Sequence, residues 1–375
     1  MIILGIESSC DETAASLIEA KGDKIKVVSN VVSSQIKIHA PYGGVIPELA
    51  ARNHIKDILP VIDEALYNSA IIPSLRGGVR GGGHFFLSAQ NIKMRQKIID
   101  RVDLISITTG PGLVSSLLIG IETAKALAYA WQKPLIGINH LAGHIYGNFI
   151  GNIKKIEFPA LALVVSGGHT ELILMRGHFK FRLLGQTRDD AAGEAFDKAA
   201  KILNLGYPGG PAVAQRATEV TNYELKITKI RLPRPMINDD NFDFSFSGLK
   251  TSLLYQVQKD ADWKNKTSAY CAEFQQAVVD VLVAKTIKAA KKYKVKTVML
   301  AGGVAANLEL REQLGRAVKT ELPRIKYNIP DLKYTTDNAA MIAAAGYFLH
   351  KSTKTLKHEN IKTKQLIKVD CNKKL

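Results

Sequence analysis

The sequence predicts an α/β protein built from two related lobes, and three observations carry that prediction. Short apolar runs of strand length alternate with stretches whose apolar residues recur at helical spacing. Small, polar, glycine-containing turns join strand to strand or strand to helix, as at Ser166–Thr170 and Ala301–Asn307. The order strand, polar turn, strand, strand occurs twice, beginning at Ile2 and again at Leu161.

Taken in order, Ile2–Ile6 reads as a buried strand, Glu7–Thr13 as a small acidic turn, Ala14–Ile18 as a second strand and Ile25–Val32 as a third. Pro41–Glu48 is a glycine-rich turn into a long amphipathic helix, marked by Leu49, Ile55, Ile58, Leu59, Ile62 and Leu66. His39, Glu48 and His54 beside it suit either a function or ordinary capping and solvation. Residues 71–97 hold Arg76–Gly83, with no apolar period and more glycine than a packed element tolerates, so they read as a flexible insertion. A strand at Val102–Thr108, a Gly110-Pro111-Gly112 turn and a helix through Trp131 follow. Those glycines fit an anion cradle at a helix N-terminus or a plain tight turn.

The second lobe repeats the opening with Leu161–Val165, the turn Ser166–Thr170, Glu171–Met175 and Phe181–Leu184. Asp189–Lys198 then opens a helix with carboxylates in its first turns, as the macrodipole favours. Tyr207–Pro211 is a rigid turn, Asn241–Thr251 alternates aromatic and polar residues as a half-buried strand does, and Thr297–Leu300 is a strand running into a glycine turn. Tyr334–Asn338 starts an alanine-rich helix to about His350, with Asp337 in the form of an N-cap. The last 25 residues carry eight lysines and little periodicity, which predicts a frayed basic extension. Two such lobes around a cleft are the plan of actin, the heat-shock ATPases and sugar kinases, a likeness that implies a nucleotide and leaves the reaction open.

Lysine and arginine total 51 against 34 acidic residues, and the resulting charge of +17 favours a polyanion such as nucleic acid over a membrane. Three scattered cysteines, Cys10, Cys271 and Cys371, supply neither a disulfide framework nor a zinc cluster, which points to a reducing compartment. Met1–Ile6 is too short for a secretory core, and the greasy run Leu113–Trp131 holds Glu122 and Lys125 at its centre. A cytoplasmic protein is expected.

His140 and His144 lie four residues apart, on one face of a helix, directly after the apolar run Pro134–Ile138. That spacing suits a metal pair and equally a half-buried surface pair. A zincin would need a glutamate after the first histidine, where this chain has Leu141.

Glu7–Thr13, Tyr42–Glu48, Gly110–Leu113, Asn139–His144, Val165–Thr170, Asp189–Lys198, Tyr207–Gly210, Asp243–Thr251, Ala301–Val304 and Thr336–Asn338, in this order, resemble the universal tRNA adenosine threonylcarbamoyltransferase family, closest to its bacterial (TsaD) branch. The resemblance implies an actin-like two-lobed fold with duplicated mixed-sheet lobes around a nucleotide cleft. The first lobe is expected at 1–135 plus about 337–350, the second at 136–336 and the basic tail at 351–375. It implies transfer of a threonylcarbamoyl group from threonylcarbamoyl-adenylate, made by a separate synthase, to N6 of the adenosine at tRNA position 37, with release of AMP. It further implies one divalent metal, iron(II) first and zinc or magnesium as substitutes, held by His140, His144 and Asp337. Val164, Val165, Ser166, Gly167, Gly168, Asp197, Gly210 and Asn307 match the residues that contact the nucleotide intermediate. A homologous actin-like accessory protein and a small ATPase are the partners it implies.

An acyl phosphate is already activated, so no covalent nucleophile is required and none is arranged in the sequence. Asp11 and Glu12 are the candidates for orienting or deprotonating the adenine amine, and a capping role is the competing reading. A metallopeptidase is disfavoured by Leu141 and by the nucleotide-type glycine turns, an actin-fold kinase because it leaves the histidines without a role, and a silent scaffold because every motif residue is present.

Overall fold

The structure is a computed structural model that describes residues 1–22, 24–68, 96–151, 155–220, 230–355 and 367–375. The insertion expected at 71–97 lies almost wholly outside the described residues. The chain divides into two compact units, one of Met1–Gln35, Val45–Lys154 and Asp337–Leu375, the other of Ile36–Gly44 and Lys155–Thr336.

The first unit holds strands β1 (Ile2–Glu7), β2 (Glu12–Lys21), β3 (Lys24–Ser34), β4 (Val102–Gly110) and β5 (Leu135–Asn139), in the sheet order β3-β2-β1-β4-β5. β1 pairs antiparallel with β2 and parallel with β4, and β5 runs parallel to β4. Helices α1 (Pro47–Tyr67) and α2 (Val114–Trp131) cover one face. There Leu4, Ile6, Ile105 and Ile107 meet Ile58, Ile62, Leu117 and Ile121 in a fully buried cluster, each such side chain contributing about 1.5–3 kcal/mol.

Strand alternation sends Gly5, Glu7, Ser106 and Thr108 to the opposite face, which the helix Ala339–Thr355 covers. The approach is very close, since a Cβ at Gly5 would lie 2.2 Å from the Ala339 carbonyl oxygen, and one at Gly346 1.9 Å from Ser106 Oγ. Helix α3 (His140–Gly147) packs on the same long helix through Gly143, where a Cβ would come within 2.6 Å of Ile342. Small residues thus bring the start of the Ala339–Thr355 helix against α3 and the end of β1.

The second unit repeats the plan with β6 (Ala160–Val165), β7 (Thr170–Met175), β8 (Phe181–Gln186), β9 (Thr297–Ala301) and β10 (Lys326–Asn328), ordered β10-β9-β6-β7-β8. Its core joins one sheet face to helices α4 (Ala192–Ile202), α5 (Gly209–Ala217), α6 (Ser247–Lys259), α7 (Thr267–Tyr293) and α8 (Leu308–Glu321). The two sheets are alike in pairing pattern, the duplicated actin-like plan that the sequence predicts.

Three local expectations change. The segment from residue 136, read from sequence as the start of the second lobe, belongs with the first unit, because β5 finds its parallel partner in β4. The half-buried strand expected within Asn241–Thr251 reduces to one bridge, Thr187 with Phe244, before α6 begins at Ser247. The basic tail does not fray from Lys351, since the helix continues to Thr355. Residues 367–375 also pack back on the first unit. Ile367 and Val369 join its apolar cluster, Asp370 N–H donates to the Thr109 carbonyl at 3.0 Å, and Asn139 Nδ2 donates to the Lys373 carbonyl at 3.0 Å.

Candidate metal centre

α3 begins where β5 ends, and its first residue is His140. Asn139 caps it, its Oδ1 accepting from Ala142 N–H at 3.0 Å, so both histidines project from the first turns of a well-started helix. Asp337 comes from the turn before Ala339. The N-cap role suggested for Asp337 by its position is taken by its neighbour, because Asn338 Oδ1 accepts from Met341 N–H at 3.1 Å. The Asp337 carboxylate is thereby left to face the histidines.

Asp337 Oδ1 lies 3.1 Å from His144 Nε2 and 3.5 Å from His140 Nε2. The two rings meet edge to face with centroids 4.7 Å apart, and the three ligand atoms fall within 4.8 Å of one another. Ligands about 2.1 Å from a shared ion stand about 3.0–3.4 Å apart, close to the two Asp337–histidine separations. Both ring nitrogens of His144 are buried and neither makes a well-aligned hydrogen bond among the described residues, Nε2 standing 3.1 Å from the Asp337 carboxylate. A buried polar atom left so is destabilising unless something else completes it. His140, His144 and Asp337 therefore form a group able to hold a metal ion, and the surface-pair reading of the histidines is excluded by their burial.

The electrostatics agree. Burial alone would lower the His140 pKa, but the carboxylates of Asp337 and Glu7 outweigh it and hold the imidazole well above its ordinary value. Asp337 is shifted the opposite way, far below the usual carboxylate range, because the charges and close contacts of His140 and His144 outweigh its burial. A proton on His140 balances the carboxylates where a cation would do so more strongly.

Sequence reasoning did not single out Glu7. It is completely buried at the end of β1 and receives Ser9 N–H at 2.6 Å and Thr108 Oγ–H at 2.5 Å, with His140 Nδ1 at 3.1 Å. The signal available was a carboxylate closing an otherwise apolar strand.

Asp11 and Glu12 lie in the turn after β1 and at the start of β2, in the same unit as the histidines. Burial, with the negative charges of Asp337 and Asp11, pushes the Glu12 carboxyl up to about 9. Burial and the same carboxylates push the Cys10 thiol up as well, so Cys10 is no nucleophile at neutral pH. His54, Glu48 and His39 separate. His54 bonds Thr13 Oγ1 at 2.7 Å and the Cys10 carbonyl at 2.9 Å and so fixes the acidic turn, Glu48 makes an exposed pair with Arg52, and His39 is buried in the second unit.

All eight residues matched to nucleotide binding lie in the second unit. Val164 and Val165 end β6 with buried side chains and are within its strand ladders. Gly167 and Gly168 are exposed, with open space where side chains would stand, and Ser166 Oγ accepts from His169 N–H at 3.1 Å to hold the turn. Gly302, with φ +90°, permits the neighbouring turn to pass the Val165 carbonyl, which a Cβ would approach to 2.3 Å. Asp197 accepts from Gly209 N–H at 2.7 Å, tying α4 to the start of α5, and burial raises its pKa. Asn307 caps α8 through Leu310 N–H and donates to Gln275 at 2.8 Å. Several of these residues thus carry structural bonds as well.

Comparison with known proteins places the chain in context. A model of the family described as "TsaD: tRNA N6-adenosine threonylcarbamoyltransferase" matches residues 26–75 and 89–344, leaving out the glycine-arginine stretch between them. The tRNA N6-adenosine threonylcarbamoyltransferase of Dehalococcoides mccartyi is 50% identical over 348 residues, 93% of either chain. That of Syntrophomonas wolfei is 46% identical over 349 residues, 92% of either chain. Among solved structures, T. kodakarensis HypF is similar in fold, with TM-score 0.57 and 13% identity over 94% of this chain and 48% of that one. No helix among the described residues is long and apolar enough to cross a membrane.

Proposed function

The chain belongs to the tRNA N6-adenosine threonylcarbamoyltransferase family, and from that premise we propose that it transfers threonylcarbamoyl from threonylcarbamoyl-adenylate to N6 of the adenosine at tRNA position 37. The observation that carries the reading is the buried His140, His144 and Asp337 cluster, in a chain that the family's model matches over residues 26–75 and 89–344. N6 attacks the carbamoyl carbon, a C–N bond forms, the C–O bond to phosphorus breaks, AMP leaves and N6 gives up a proton.

We assign the metal and the proton chemistry to the first unit. Iron(II) is the expected ion, with zinc or magnesium as substitutes, and when bound it supplies Lewis-acid charge at the acyl and phosphate oxygens. To Asp11 and Glu12, the two adjacent carboxyls where β2 begins, we assign orienting the amine and accepting its proton. To the second unit we assign the adenylate. The open Gly167 and Gly168 backbone, with Val164, Val165 and Ser166, approaches the phosphate, Gly210 and Asn307 flank the nucleoside, and Asp197 accepts from ribose hydroxyls. Adenine N6 is a weak nucleophile, so positioning supplies much of the rate. We further assign the reaction to the cytoplasm, with a homologous actin-like accessory protein and a small ATPase as partners.

The reading is tested by incubating the protein with tRNA, ATP, threonine, bicarbonate, the adenylate-forming synthase and bacterial accessory proteins, followed by mass spectrometry of digested nucleosides. Wild type yields threonylcarbamoyladenosine, and His140→Ala yields at least about 100-fold less. Absence of the nucleoside with wild type, or equal yields from both, contradicts it.

A further inference from the structure

We propose that Glu7 is a positioning residue that fixes the His140 imidazole with Nδ1 protonated, so that Nε2, on giving up its proton, is the ring atom available to a cation shared with Asp337 and His144. The inference deepens the metal reading above and rests on it. Glu7 has no contact with solvent, and a buried carboxylate is strongly destabilising unless its oxygens are hydrogen-bonded. Here Oε1 takes Ser9 N–H at 2.6 Å, and Oε2 takes Thr108 Oγ–H at 2.5 Å and faces His140 Nδ1 at 3.1 Å. The donors come from the turn after β1, from β4 and from α3, three separate pieces of the first unit.

What the carboxylate does distinctively follows from its chemistry. Ionised, it only accepts, so the ring nitrogen beside it carries the hydrogen. Ser9 Oγ, 3.1 Å from the same nitrogen, accepts from it too in that state. Nε2, 3.5 Å from Asp337 Oδ1, is then the nitrogen that loses its proton when a cation binds. His144 has no such partner among the described residues, where its Nδ1 is unbonded. The two histidines are therefore unequal, one oriented by a carboxylate and the other by packing.

The test is zinc titration of metal-free protein by calorimetry for wild type, Glu7→Gln and Thr108→Val, with circular dichroism as the check on folding. It is joined by 15N NMR of the histidine rings in zinc-loaded wild type. Glutamine keeps the shape but permits either tautomer. Zinc affinity is expected to fall about 10–100-fold in Glu7→Gln and by less in Thr108→Val, and the NMR is expected to show His140 protonated at Nδ1 and metal-bound at Nε2. Affinity within threefold of wild type in folded Glu7→Gln overturns the proposal. Should that variant not fold, the wild-type spectrum decides, because a His140 bound through Nδ1 overturns it equally. Failure of wild type to bind zinc refutes the metal centre itself, and so is distinct from a failure confined to Glu7.

Discussion

Glu12 holds a proton that a solvated carboxyl would release. The folded protein keeps it to about pH 9, while the unfolded chain gives it up near 4.5, so this group lowers stability as pH rises through that window. Glu12→Gln should then make the metal-free protein more stable by about 1–2 kcal/mol at pH 8, read by urea unfolding in chelator, while reducing transfer. His54 works in the other direction. Burial lowers its pKa, so the native state resists protonation and stability is lost as pH falls below the unfolded value of 6.5. In His54→Gln that loss between pH 6.5 and 5 should shrink, measured by thermal unfolding. At this scale the sequence showed the two histidines through their spacing, but Asp337 only through resemblance. Its own surroundings suggested an N-cap, and it is Asn338 that accepts from Met341 N–H instead. Glu7 left only a weak trace, a carboxylate closing an apolar strand, because its burial is made by β4 and α3 closing over it.

Elements hold these residues in place through close approaches that small side chains allow. Gly143 lets α3 lie against Ile342, so Gly143→Val should cost about 1–3 kcal/mol of stability and weaken zinc binding, by calorimetry, as the start of the Ala339–Thr355 helix is displaced. A Gly143→Val protein with unchanged zinc affinity would show that Asp337 is not held by this contact. Removal of residues 367–375 takes Ile367 and Val369 away from the apolar cluster they cover and takes away the partners of Thr109 and Asn139. The truncated protein should melt several degrees lower, about 2–4 °C per kcal/mol lost. Strand and helix periodicity was readable for most of the chain. The placement of β5 and of the last nine residues was not, because both depend on partners distant in sequence and neither carries a periodic signal of its own.

For the molecule as a whole, a net charge of +17 predicts that tRNA binding is strongly salt-dependent. Log affinity against log salt should fall with a slope of about −0.7 to −0.9 per phosphate contacted, measured by fluorescence anisotropy, and a flat line would remove electrostatics from the account. The duplicated plan of two mixed five-stranded sheets was legible because each unit repeats the same run of apolar strands and polar turns. The measurement that bears most directly on the central claim is mapping of the transferred group. tRNA is treated with threonylcarbamoyl-adenylate carrying 13C-labelled threonine and either wild type or Asp337→Asn, then cut with nuclease and analysed by mass spectrometry. The account predicts the label on the adenosine at position 37 with wild type and its near loss with Asp337→Asn. Label on another nucleoside, or an equal yield from the variant, would contradict it.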